Sequence, residues 1–181
     1  LKWHKLIRED ESFPVRVLPA WRPDKAMNIE KDGYLDYLAC LEAAAGIKIS
    51  SFNDLKAALK NRMKFFKEMG CRVSDHALEY IMYVPARESE IEFIFAKRIR
   101  GDALTRQEEL KFKTAFMLFV GAEYERMNWV MQLHYGCKRD NNSRLFENLG
   151  PDTGFDCINS YAPSSQTADF LNALNQSHAL P

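Results

Sequence analysis

The strongest constraint on the fold is a pattern in which a short run with apolar residues ends in polar side chains that can carry chemistry. The pattern occurs at 17–21, which precedes Arg22, at 71–74, which precedes Asp75, and at 129–133, which precedes His134. Strands of a parallel barrel end in this way, because apolar residues fill the interior and the active site is built at the carboxyl ends. The three segments therefore predict strand ends that share one pocket.

Stretches with helical periodicity separate these segments. Strands are predicted at 13–18, 71–75 and 129–133, and helices at 2–9, 33–45, 52–69, 88–99, 106–127 and 166–175. Ser51 and Thr105 have the spacing of capping boxes at the start of two of these helices. The alternation predicts parallel strands joined by helical crossovers. The predicted fold class is α/β and helix-dominated, with about three parallel strands of a (β/α)8 TIM barrel.

Length and composition limit the domain count and the partners. The 181 residues suit one domain, 1–181, and crossovers longer than the roughly 30 residues of a plain βαβ unit predict inserted helices at about 28–50 and 85–105. The 25 basic residues balance 25 acidic ones, so we expect no nucleic-acid partner, and no apolar run has the length of a membrane span.

Cysteine and histidine spacing limits the redox chemistry and the metal sites. The four cysteines form no C-x-x-C pair, which predicts reduced thiols and a cytoplasmic location, as does the lack of a signal peptide. The four histidines include no H-x-H or H-E-x-x-H motif, so we expect no self-contained metal site in this segment.

Arg22 lies between Trp21 and Pro23. Because Pro23 disfavours helix at Arg22, the guanidinium leaves the strand in a constrained direction and can bind a carboxylate through two hydrogen bonds. The alternative is a surface ion pair with Asp24 or Glu30. Substrate binding is the functional prediction for Arg22.

Asp75 and His76 are adjacent at a strand end, so only one of them should enter the pocket. Asp75 is the catalytic candidate. It is equally compatible with the role of N-cap for a helix that begins at Ala77.

His134 is the second catalytic candidate. It shares one side of its strand with Gln132, and an imidazole there can donate to a substrate oxygen or move protons near neutral pH. Arg139 can hold an anion. Asn141 and Asn142 can bind hydroxyls or simply fix the loop.

Several segments together resemble the uronate isomerases (glucuronate isomerases), a branch of the amidohydrolase superfamily. The resemblance covers nearly the whole chain and is carried by residues 17–26, 70–78, 112–115, 121–124, 132–136, 139–142 and 149–156. It implies a (β/α)8 barrel with extra helices that interconverts D-glucuronate with D-fructuronate and D-galacturonate with D-tagaturonate. It also implies that Arg22 faces the substrate carboxylate, and that Asp75, His134 and Arg139 lie in the pocket at the ends of the fourth and fifth barrel strands.

The chain departs from the family pattern because it lacks the early H-x-H metal pair and the late Asp that is followed by Arg. We therefore expect a central segment of a longer enzyme, which binds no cofactor itself, and zinc is the candidate metal of the parent protein. The expected partners are a small-molecule hexuronate and further copies of the protein. Two alternatives stay open: a metal-dependent hydrolase of the same superfamily, and a non-catalytic helical module for association.

Overall fold

Helix is the main element of the computed structural model, which describes residues 1–161 and 163–180. The helices are α1 (Lys2–Glu9), α2 (Asp24–Met27), α3 (Tyr34–Ala45), α4 (Phe52–Glu68), α5 (Glu88–Ile99), α6 (Arg106–Met127), α7 (Ser143–Leu149) and α8 (Ser164–Gln176). The strands are β1 (Val73–Ala77), β2 (Val130–His134), β3 (Cys137–Lys138) and β4 (Cys157–Ile158). The six predicted helices are confirmed within two residues at each end, whereas α2, α7, β3 and β4 were not predicted.

The two longer strands form a parallel pair, in register from Val73 opposite Val130 to Ala77 opposite His134. Both strands begin later than predicted, because the amides of the first predicted strand residues donate to carbonyls of the preceding helices. The Cys71 amide donates to the Phe66 carbonyl at the end of α4, and the Trp129 amide donates to the Tyr124 carbonyl at the end of α6. These bonds belong to Schellman helix ends, with left-handed residues at Gly70 and Asn128.

The predicted strand at 13–18 is wrong. The segment pairs with β1 only after residue 18, where Trp21 forms a parallel bridge with Ser74. The Trp21 amide donates to the Val73 carbonyl at 3.0 Å, and the Trp21 carbonyl accepts from the Asp75 amide at 2.9 Å. Pro14 and Pro19 lack the amide hydrogens that a strand ladder needs, and residues 13–18 are exposed. The described residues thus form two parallel strands and one bridge rather than three strands, and they do not close a barrel.

The helix predicted from Ala77 is also wrong. β1 continues to Ala77, and the Leu78 amide donates to the His134 carbonyl at 2.8 Å. The sheet pairing therefore continues beyond the position at which the helix was expected to begin. Residues 78–87 run without regular secondary structure to the start of α5.

Aromatic side chains fill the core between the helices. Phe112 of α6 is fully buried, and its ring centroid lies 5.2 Å from that of Phe52 and 6.0 Å from that of Phe95. Nearer the strands, the Trp129 ring lies 6.0 Å from Tyr124 and 6.5 Å from Trp21. This second group packs beside the parallel strands, and its Tyr124 hydroxyl contacts the buried His76 of β1.

We expect the 181-residue chain on its own to self-associate. Among the described residues β2 pairs only with β1, and Val130 at its start is 63% exposed. An open strand edge with exposed apolar side chains favours pairing with another chain, and lysine on such a strand opposes it. Size-exclusion chromatography with light scattering should show assemblies for the wild-type chain and a shift towards monomer for Val130→Lys. A monomeric wild-type chain would contradict this expectation.

Candidate functional site

Three predicted site residues meet at the carboxyl ends of the parallel segments. Asp75 lies between the other two: its Oδ2 is 3.3 Å from Arg22 Nη1, and its Oδ1 is 3.4 Å from His134 Nε2. The sheet register causes this meeting, because Trp21 bridges Ser74 and β1 pairs with β2. The side chains of Arg22 and His134 are about half exposed, so a solute can reach them.

Strand alternation separates Asp75 from its neighbour His76. The Asp75 side chain lies on the open side with Arg22 and His134, whereas His76 is fully buried on the other face. Asp75 is not the N-cap of a helix, because no helix follows it and residues 78–87 are irregular.

Asp24 is the residue that sequence reasoning underrated. It is 8% exposed, its Oδ1 lies 2.9 Å from His76 Nδ1, and its Oδ2 accepts from the Ala77 amide at 2.9 Å. The same Oδ2 accepts from Arg22 Nε at 3.3 Å, so the predicted Arg22–Asp24 pair exists, but its carboxylate is buried. Burial alone would raise the pKa of Asp24, yet the contacts with His76, Ala77 and Arg22 outweigh it and lower that pKa.

The other predicted pairing partner of Arg22, Glu30, binds elsewhere. Its Oε1 accepts from Lys113 Nζ at 2.7 Å. No local sequence pattern predicts the Asp24–His76 contact, because 52 positions separate the two residues. The one available signal was a carboxylate that directly follows an Arg-Pro pair at a strand end.

Arg139 pairs with a carboxylate other than those that contact Arg22 and His134. Arg139 Nη1 lies 2.7 Å from Asp156 Oδ2, and the Asp140 amide donates to Asp156 Oδ1 at 2.9 Å. The bond from the Asp140 amide and the contact with Arg139 lower the pKa of Asp156. Arg139 and His134 nevertheless line one open cavity of about 450 Å³.

The asparagine pair after Arg139 shows one clear role. The Asn142 side chain accepts from the Leu145 amide at 3.1 Å and so caps α7. This contact supports the loop-fixing alternative for Asn142 rather than hydroxyl binding.

The described part of the chain contains neither a metal-ligand cluster nor a helix that could span a membrane. It brings together no group of three or more His, Cys, Asp or Glu side chains able to hold a metal ion. Zinc needs at least three protein ligands in its usual sites, so the residues present do not fit a zinc centre. None of the helices described has the length and apolar character that a membrane crossing requires.

Comparison with known proteins gives a consistent result. The family model described as glucuronate isomerase matches residues 1–181. The uronate isomerases of Lachnoclostridium phytofermentans and Lachnospira eligens are 64% and 62% identical to this chain over 181 residues. Each match covers 100% of this chain and 39% of the relative, so the chain spans about two-fifths of the length of these curated relatives.

Solved structures show the same relationship. The uronate isomerase from Thermotoga maritima matches with a TM-score of 0.89 and 33% identity, over 98% of this chain and 39% of that one. The glucuronate isomerase from Caulobacter crescentus, at 24% identity and a TM-score of 0.83, covers 95% of this chain and 36% of that one, and shows similarity of fold. The resemblance inferred from the motifs is confirmed: since the family model matches the chain from its first residue to its last, the chain belongs to the glucuronate isomerase family.

Proposed function

We propose that this chain forms part of the active site of an aldose–ketose isomerase that acts on hexuronates. The reactions are the interconversion of D-glucuronate with D-fructuronate and of D-galacturonate with D-tagaturonate. The observation that carries the proposal is the array Arg22–Asp75–His134 at the ends of neighbouring parallel segments, with contacts of 3.3 and 3.4 Å. Family membership supports the same reaction class.

Arg22 is suited to hold the carboxylate of the sugar acid. A guanidinium has five N–H donors, and the contacts to Asp24 and Asp75 involve Nε and Nη1. Donors therefore remain for a substrate carboxylate, which a guanidinium binds in a fixed plane. We assign Arg139 as a second cation for the anionic substrate, because it shares an open cavity with His134.

His134 is suited to move protons at the sugar oxygens. In the isomerisation a proton leaves C2 and the O2 hydroxyl loses its proton as the ketone forms, while O1 and C1 each gain one. Asp75 lies beside His134 Nε2, so its carboxylate orients the imidazole. The other ring nitrogen can then exchange a proton with a substrate oxygen and stabilise the charge that develops on it.

The larger setting that we propose is a (β/α)8 barrel. The parallel pair and the Trp21 bridge would be three of its neighbouring strands, and α3 and α5 would be helices inserted between them. We assign no step to a metal, because the described residues do not supply a zinc site. The four cysteines are free thiols, which supports a cytoplasmic location.

The test is an activity assay on the full-length protein that carries this segment. Glucuronate and galacturonate are supplied separately, and proton NMR follows the loss of the aldose and the appearance of the ketose. Formation of fructuronate or tagaturonate supports the proposal. Hydrolysis of amide or ester substrates without isomerisation would favour the hydrolase alternative, and a folded protein that turns over neither class would leave an association module.

A further inference from the structure

A buried series of hydrogen-bonded side chains, Asp24, His76 and Tyr124, adjoins the proposed site. His76 has no exposed surface, and its two ring nitrogens face Asp24 Oδ1 and the Tyr124 hydroxyl, each at 2.9 Å. Asp24 then reaches forward to Arg22. Neither Asp24 nor His76 has a role in the chemistry proposed above.

The hydrogen-bond partners of His76 show which of its ring nitrogens donates to Asp24. Because the pKa of Asp24 is lowered and an ionised carboxylate can only accept, His76 Nδ1 carries a proton and donates it to Asp24, while Nε2 pairs with the Tyr124 hydroxyl. Both ring nitrogens of the fully buried imidazole are thus satisfied, as buried polar groups require. The Asp24 carboxylate is consequently fixed from one side by His76 and from the other by the Ala77 amide.

This fixed carboxylate lies against the guanidinium. The Trp21 bridge and Pro23 restrain the Arg22 backbone, but the side chain is 52% exposed, so the backbone alone does not fix the plane of the guanidinium. Asp24 Oδ2 contacts Nε, the nitrogen nearest the aliphatic stem. A contact at Nε sets the plane of the guanidinium and leaves the terminal nitrogens for Asp75 and for a ligand.

We propose that Asp24, held by His76, is a positioning residue that orients Arg22 towards the substrate carboxylate before substrate binds. The inference rests on the proposed function, since it assigns a purpose to Arg22. Binding groups that are held in the productive geometry before the encounter raise the efficiency of catalysis, because less freedom is lost at the transition state.

The test is Asp24→Asn in the full-length enzyme. The amide keeps the shape of the side chain and removes its charge, so kcat/KM for glucuronate should fall about 10- to 100-fold, in line with the loss of a charged hydrogen bond. Glu30→Gln is the matched control, because it removes the charge of another carboxylate in a largely buried ion pair, the one with Lys113. That control should leave kcat/KM unchanged.

A double-mutant cycle separates positioning from general damage to the fold. If Asp24 acts through Arg22, then Asp24→Asn should cause little further loss of kcat/KM in an Arg22→Met background. Losses that multiply would overturn the inference, as would an Asp24→Asn enzyme with wild-type kcat/KM. A wild-type enzyme without uronate isomerase activity would instead refute the proposed function.

Hydrogen exchange at Arg22 in the wild-type enzyme tests the inference even if the Asp24→Asn variant does not fold. The Nε–H proton of Arg22, assigned by its loss in Arg22→Lys, should exchange with solvent at least about tenfold more slowly than that of an exposed arginine, before any substrate is added. Exchange as fast as that of the exposed Arg16 would show that Asp24 does not hold the guanidinium, and would overturn the inference.

Discussion

Replacement of His134 by asparagine in the full-length enzyme is expected to lower kcat for glucuronate about 10²- to 10⁴-fold while the fold stays intact. This is the range that one positioned acid–base group supplies. His134 is the last residue of β2, its side chain is 58% exposed, and its side-chain contact to Asp75 is 3.4 Å. The substitution therefore removes the group that we propose transfers protons, without opening a cavity in the core.

Steady-state kinetics at saturating glucuronate, together with circular dichroism, would measure this effect. His178→Asn is a suitable control, because His178 is exposed after α8 and has a positive φ of 52°, which asparagine tolerates. A His134→Asn enzyme whose turnover stays within a few-fold of wild type would show that His134 is structural.

Replacement of Arg22 by methionine is expected to lower kcat/KM by about 30- to 5,000-fold. Once the substrate covers the guanidinium, the pair that it forms with the substrate carboxylate is buried. Removal of one partner from such a pair costs about 2–5 kcal/mol, and each 1.4 kcal/mol is a factor of ten. The loss has two sources: the substrate carboxylate loses the cation proposed to bind it, and Asp24 and Asp75 each lose their contact with the guanidinium. Arg22→Lys should recover only part of the loss, since an ammonium keeps the charge but not the planar donor pair.

The control for this prediction is Arg16→Met, which removes an exposed arginine from the irregular segment before Trp21. Kinetics with glucuronate and with galacturonate should show the Arg22 effect for both acids, because both carry the carboxylate. Unchanged kcat/KM in Arg22→Met would exclude Arg22 from the site.

Local chemistry in the sequence determined the helices and their ends. The capping boxes at Ser51 and Thr105 both form as their spacing predicts, with the side chains of Asp54 and Glu108 returning to the cap amides. These contacts span three residues, so they can be read directly from the chain. The meeting of Asp75 with His134 could also be predicted, because parallel strands place their carboxyl ends at one edge.

The tertiary structure alone decided where strands could form and what supports the site. Val15 and Val17 favour a strand by residue type, but the prolines remove ladder donors and only Trp21 pairs with β1. The sequence allowed an Arg22–Asp24 pair, but it did not show that His76 supports this pair from the core. The Asp24–His76 contact joins residues 52 positions apart, and only the packing of α2, β1 and α6 brings a carboxylate, an imidazole and a phenol together beneath the strand ends.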